Sequence, residues 1–269
     1  MKNTQFKLLR CQKKGIEAVV ADTTLVFGRH THEQFGVGLI ERGAQKSASG
    51  RGLVEAGAGD IITVNPGEVH DGAPIGDGGR SWRMLYLDPV IVGELATDIA
   101  QERAAQAFEF TSPMVRDGRM ANRFKRLFVS MTRPDACHGG LDADEALLLL
   151  LAALMRPGAV RRPPVTAGIA SARALIDDDP ASPVTLAALA QLAGLSRFQF
   201  LRGFARATGL TPHAYLTQRR LHRARQLIGG GMRLADVAAV SGFSDQSHMT
   251  RLFVRSFGVA PGTYARVPG

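Results

Sequence analysis

Cysteine is nearly missing from this 269-residue sequence: Cys11 and Cys137 stand alone with no CxxC spacing. That excludes a disulfide framework and a thiolate metal site, and fits a reducing cytoplasm. Long apolar runs are missing too. The longest, Ala146–Met155, is half a membrane span and reads as a buried helix. The basic stretch Met1–Lys14 is followed by no unbroken apolar segment of signal-peptide length, so secretion and membrane insertion are not expected. No Ser/His/Asp, Cys/His or phosphate-loop pattern stands out. What remains is an ordinary soluble composition, 45% hydrophobic and 21% charged, in a chain long enough for two domains.

Lysine disappears after Arg161, and acids become scarce. From there to the end the sequence holds fourteen arginines and five aspartates, so this segment carries the entire formal net charge of +9 and the rest is neutral. A basic module beside a neutral one suggests a polyanion-binding unit joined to a unit with different work. The two meet at Met155-Arg-Pro-Gly-Ala-Val-Arg-Arg-Pro-Pro-Val165, whose prolines and glycine read as a linker. The expected domains are 1–156, a linker at 157–166, and 167–269.

In the first domain, β-type runs at Ile16–Ala21, Phe35–Glu41, Asp60–Val64 and Trp82–Leu87 alternate with glycine-bearing turns, as in a β-sandwich or small barrel. From Pro89 to Met155 the apolar period becomes helical, with helices expected at Asp117–Arg133 and Asp142–Met155. These two helices carry more apolar surface than a small barrel could cover, which points to a dimer interface.

The second domain repeats itself. Arg-x-Phe-x-Arg-x-x-Gly-[Leu/Val]-x-Pro-x-x-Tyr runs from Arg202 to Tyr215 and again from Arg251 to Tyr264. Each copy follows a short helix and turn, Leu186–Ser196 and Leu234–Ser244, offset by one residue less than the downstream frame. Ala190 and Ala238 permit close helix approach, Gly194 and Gly242 supply a turn, and Ser196 and Ser244 stand as N-caps, with Gln199 completing a capping box for Ser196. The following helices, Arg197–Thr208 and Asp245–Phe257, read as recognition helices. Leu201, Phe204, Met249, Leu252 and Phe253 would face the core. Arg197, Gln199, Arg202 and Arg206 on one helix, and Gln246, Ser247, His248, Thr250, Arg251 and Arg255 on the other, could touch bases or phosphates. Pro212–Ile228 would form one spacer helix, and recognition helices about 34 Å apart would enter successive major grooves.

With these residues in view, the segment from about Ile169 to Val267 resembles the DNA-binding domain of the AraC/XylS family of bacterial regulators. The resemblance implies that Phe198, Leu201 and Arg202, and Gln246, Ser247, Thr250 and Arg251, face DNA, Leu201 by an apolar contact. It also implies an effector-controlled regulator, an activator, that is cytoplasmic and homodimeric and partners double-stranded DNA, a small-molecule effector and RNA polymerase.

The first domain is similar to the cupin-type effector domain of many members, through His30-Thr-His32-Glu33 and Gly59-Asp60 to Val69-His70. The resemblance implies a β-barrel with a helical tail, joined to an all-α domain with two helix-turn-helix units. It also implies a possible zinc or iron site at His30, His32 and His70, though the glutamate that metal-binding cupins supply has no counterpart at its usual distance. His30, His32, His70, Trp82 and Tyr86 are the candidate effector contacts. The competing expectation, a metal-dependent cupin enzyme fused to a DNA-binding tail, is weakened by that missing glutamate.

Overall fold

The computed structural model describes residues 5–100, 108–132, 139–157 and 165–266. Cys137 and most of the expected 157–166 linker lie outside them. The chain divides near residue 160 into two compact units.

The first unit runs β1 (Gln5–Leu9), β2 (Ile16–Thr23), β3 (Phe27–His30), β4 (Phe35–Arg42), β5 (Ala44–Ser49), β6 (Gly52–Gly57), β7 (Ile61–Val64), β8 (His70–Pro74) and β9 (Arg80–Leu87). It continues through α1 (Pro89–Ala100), β10 (Phe108–Phe110), β11 (Met114–Val115), α2 (Gly118–Thr132), α3 (Gly139–Leu154) and β12 (Met155–Pro157). One antiparallel sheet has the order β1-β2-β9-β4-β7-β11 and a second β3-β8-β5-β6, while β10 pairs with β12 alone. The two main sheets face one another as a cupin-like barrel that is left open. Three of the four expected β-runs fall within strands, and the fourth, Asp60–Val64, begins one residue before β7. The expected helical tail is interrupted by β10 and β11, and its last residues join β12, because Met155 pairs with Phe110 and Pro157 with Phe108.

Strand alternation splits the central strands between two environments. On β9, Leu85 and Leu87 are buried against α2 and α3, together with Phe35, Val37 and Leu39 of β4. Arg80, Trp82 and Tyr86 point the other way, toward the second sheet. Most of the apolar surface of these helices is covered by the sheet: Phe124, Leu127, Phe128 and Met131 of α2 and Leu147, Leu150, Leu151 and Leu154 of α3 form one core with it. Leu149 remains exposed on α3. Asp144, inside α3, pairs with Lys13 at 2.6 Å.

The second unit is all helical: α4 (Ala167–Asp178), α5 (Leu186–Leu192), α6 (Arg197–Thr208), α7 (Pro212–Gly229), α8 (Leu234–Val240), α9 (Gln246–Phe257) and α10 (Pro261–Tyr264). Helices α5 and α6 form one helix-turn-helix and α8 and α9 the other, with α7 as the spacer. Gly194 and Gly242 make the two turns at φ +66° and +82°, a region that L side chains rarely adopt. Gly209 and Gly258 end the recognition helices in the left-handed conformation, and Pro212 and Pro261 begin the next helices. Among the described residues no helix is long and apolar enough to cross a membrane.

Candidate effector pocket and nucleic-acid interface

Backbone register builds the first site. His30 on β3 pairs directly with His70 on β8, and His32 follows two residues after His30. His30 and His32 are buried and His70 is half-buried. One ring nitrogen from each lies within 4.8 Å of the others. His30 Nδ1 donates to the Gly28 carbonyl at 2.7 Å and His70 Nδ1 to that of Glu68 at 3.1 Å, since a carbonyl only accepts. Both rings therefore hold their Nδ1 proton and present Nε2 as the basic nitrogen when neutral. Burial, reinforced by the charge of Arg51, pushes the His70 imidazole down to about 4 against the opposing carbonyl bond, so it is neutral at physiological pH.

The five expected effector contacts are joined by a continuous run of ring contacts. Trp82 meets Phe27 at 6.3 Å, Phe27 meets His30 at 6.1 Å, His30 meets His70 at 4.3 Å and His32 at 5.0 Å, and His32 meets Tyr86 at 4.9 Å with its ring tilted. Two members escaped the sequence reading. Phe27 opens the short strand β3 and carries no motif. Arg80 shares the alternation of Trp82 and Tyr86 and could have been found by it. Its guanidinium is fully buried, lies 4.9 Å from the Trp82 ring, and donates to Gln45 Oε1, Leu25 O and Gly72 O. Burial pushes it down to about 10, which still leaves it charged. Glu41 is turned away, paired with Arg83 at 2.9 Å.

The second site is the exposed face of α6 and α9. Phe200 and Phe204 fill the core of the first helix-turn-helix, four residues apart with ring centroids at 5.4 Å, and Met249 and Phe253 take the equivalent places in the second. This corrects the expected inward role of Leu201 and Leu252, which are only half-buried. Arg197, Phe198, Gln199, Arg202 and Arg206 are exposed on α6, and Gln246, Ser247, Arg251 and Arg255 on α9. Thr250 is half-buried; so is His248, whose Nδ1 meets Ser244 Oγ at 3.1 Å. Gln199 Oε1 accepts from the Ser196 backbone at 3.1 Å, so part of its amide serves its own helix cap.

Ser244 is not the second cap. Asp245 accepts from the His248 backbone N–H at 2.7 Å and caps α9 instead. The one-residue insertion between the two repeat frames falls at this turn, and Asp245 stands 49 residues after Ser196, in the downstream register.

Many arginines of this unit are structural. Arg173 and Arg219 bind Asp177, Arg223 binds Asp179, Arg220 donates to Pro180 O, and Arg225 lies over Phe257 and Tyr264. Arg197, Arg202, Arg206, Arg251 and Arg255 join none of these ion pairs among the described residues. Arg202 instead lies 5.6 Å from the ring of Phe198, itself 67% exposed. Free guanidinium groups on the polar faces of two capped helices are what phosphate and base contacts require.

Paired helix-turn-helix units behind a cupin-like sensory domain define a ligand-responsive DNA-binding regulator. The comparisons agree: the AraC-like ligand binding domain model matches residues 14–151 and a helix-turn-helix domain model matches residues 189–266. The chain belongs to the AraC family of transcriptional regulators. It is 26% identical over 230 residues to the uncharacterized HTH-type transcriptional regulator YbfI of Bacillus subtilis (83% of this chain, 81% of that protein). Over 84 residues it is 39% identical to the transcriptional activator NphR of a Rhodococcus species (31% of this chain, 25% of that protein). The apo form of a ToxT variant from Vibrio cholerae has the same fold, with a TM-score of 0.60 at 12% identity over 97% of this chain and all of that one. Wild-type ToxT bound to an unsaturated fatty acid matches with a TM-score of 0.56 at 11% identity, over 98% of this chain and 97% of that one. These relatives are regulators rather than enzymes, against the alternative of a cupin enzyme with a DNA-binding tail.

Proposed function

We propose that the protein reads promoter DNA with α6 and α9, and that a small molecule bound between the two sheets of the first unit controls this, making it a cytoplasmic activator. The observation that carries the reading is the sorting of arginines in the second unit. Those on α4 and α7 are spent on aspartates, backbone and aromatic rings, whereas those on α6 and α9 stand unpaired beside Phe198, Leu201, Gln246, Ser247 and Thr250. Arg202 and Arg251 sit where a guanidinium can reach guanine, and Arg206 and Arg255 one turn further on, where phosphate is the nearer partner. His30, His32, His70, Trp82 and Tyr86 are the proposed effector contacts. Dimerisation through the first unit and contact with RNA polymerase complete the proposal. The exposed Leu149 on α3 supports an interface there.

Selection of binding sites from a random DNA pool by the full chain tests this. The expected result is enrichment of two short blocks about 10 base pairs apart, with affinity falling steeply as salt rises. Binding without any enriched sequence would overturn it.

A further inference from the structure

We propose that His30, His32 and His70 bind one divalent transition-metal ion such as Zn2+ or Fe2+, whose remaining coordination positions take an anionic effector. The inference rests on reading the first unit as the effector domain and names the chemistry of what it receives.

Geometry supplies the ligand set. A cross-strand pair, His30 and His70, and a third ring two residues along the chain bring their nitrogens within 4.8 Å of one another. A tetrahedral ion with bonds of about 2.0–2.1 Å needs donors roughly 3.3 Å apart, a distance that side-chain torsions can close from here. The Nδ1 bonds of His30 and His70 to the Gly28 and Glu68 carbonyls fix ring orientation, the support that metal-bound imidazoles usually receive. Three imidazoles without thiolate suit zinc, iron, cobalt and nickel. Packing alone explains the cluster poorly, since three apolar side chains would fill the same volume without polar nitrogens to satisfy.

Charge then defines the co-ligand. Among the described residues the cluster includes no Asp or Glu. The positions of β4 that face Met84 and Tyr86 are Gly36 and Gly38, Glu41 is held by Arg83, and Glu68 is held by Arg51 at 2.7 Å. A bound ion would keep its full double charge in a buried place, and buried charge needs a counter-charge. Arg80, buried nearby with only neutral acceptors, adds to that positive field. The effector that fits is a carboxylate or similar oxyanion with an apolar body lying against Phe27, Trp82 and Tyr86.

The test uses the full chain, stripped with a chelator and titrated with Zn2+ against a chromophoric competitor, and with Co2+ followed by visible absorption. We expect one ion per chain, a rise in melting temperature with Zn2+, and a change in the Co2+ spectrum when azide or benzoate is added. His30→Ala and His70→Gln should lose binding and the thermal shift at least tenfold, while His213→Ala, on α7, keeps both. The milder His70→Gln guards against misfolding, checked by circular dichroism of the metal-free protein. Binding that survives in His70→Gln, or no binding by the unaltered chain, overturns the site. A Co2+ spectrum unmoved by the anions overturns the open position. No DNA is present, so failure here leaves the DNA reading standing, and loss of sequence preference leaves the metal result standing.

Discussion

The two helix-turn-helix units share one frame and differ in how each recognition helix begins. Helix α6 is capped by the neutral Ser196–Gln199 box, and its first turn exposes an aromatic ring, Phe198, with Arg202 lying over it. Helix α9 is capped by a carboxylate, Asp245, and its first turn exposes Gln246 and Ser247. The two units share what packs, the Phe204 and Phe253 rings and the terminal glycines, and the exposed arginine pairs Arg202/Arg251 and Arg206/Arg255, while the exposed residues of their first turns differ. The two helices are therefore suited to different DNA surfaces, one partly apolar and one polar.

The turns offer the strongest way to break the equivalence of the units. A Cβ at Gly194 meets nothing within 4 Å, whereas one at Gly242 would stand 2.8 Å from the Ala181 Cα and 2.9 Å from its carbonyl oxygen. Gly194→Ala should cost about 1–2 kcal/mol from left-handed backbone alone. Gly242→Ala adds overpacking, for a total of about 2–5 kcal/mol. Urea unfolding of the two variants decides this, and equal losses would mean that the second turn can relax.

DNA affinity sharpens the comparison next. Arg202→Ala and Arg251→Ala should each cost about 1–3 kcal/mol at a selected site and relax preference at one base pair. Arg206→Ala and Arg255→Ala should weaken selected and random DNA alike and lower the salt slope by about one. Phe198→Ala should change the preferred base in the α6 half only. Equal losses on both DNAs for Arg202→Ala and Arg251→Ala would reassign these arginines to phosphate.

The caps give the smallest effect and a pH signature. Ser196→Ala should cost about 1 kcal/mol at any pH. The backbone N–H of His248, helped by Ser244, holds the Asp245 carboxyl below its usual range. A lowered pKa in the folded state stabilises above the unfolded value and is lost as pH falls through the folded one. Acidification into the carboxylate range should therefore speed amide exchange at the start of α9 and leave α6 unchanged. In Asp245→Asn, which keeps an accepting oxygen but no charge, that difference should vanish.

Much of the helical unit was written in sequence order. Its turns, stops and the Ser196 cap are local, each set by residues within a few places of one another, so two copies in register exposed them, while the one-residue insertion at the second turn moved the cap of α9 from Ser244 to Asp245. Even there, which of Phe200 and Leu201 faces inward was decided by packing, because two neighbouring apolar residues satisfy the same period. In the first unit, alternation fixed that Trp82 and Tyr86 share a face, and the two histidine motifs marked the site. The partners of that face came from elsewhere. Only the pairing of β3 with β8 sets His30 against His70, and only the approach of one sheet to the other puts Arg80 against Gln45 and Gly72. The helices α2 and α3 show the same division: their apolar stripes were legible, but that the sheet would cover most of them was decided by the tertiary fold, since burial depends on contacts made across more than eighty residues of chain. Local hydrogen bonding and periodicity are properties of neighbouring residues, and a sequence states them directly; which strand lies beside which, and what a buried charge then faces, is settled only when distant segments compete for the same apolar surface.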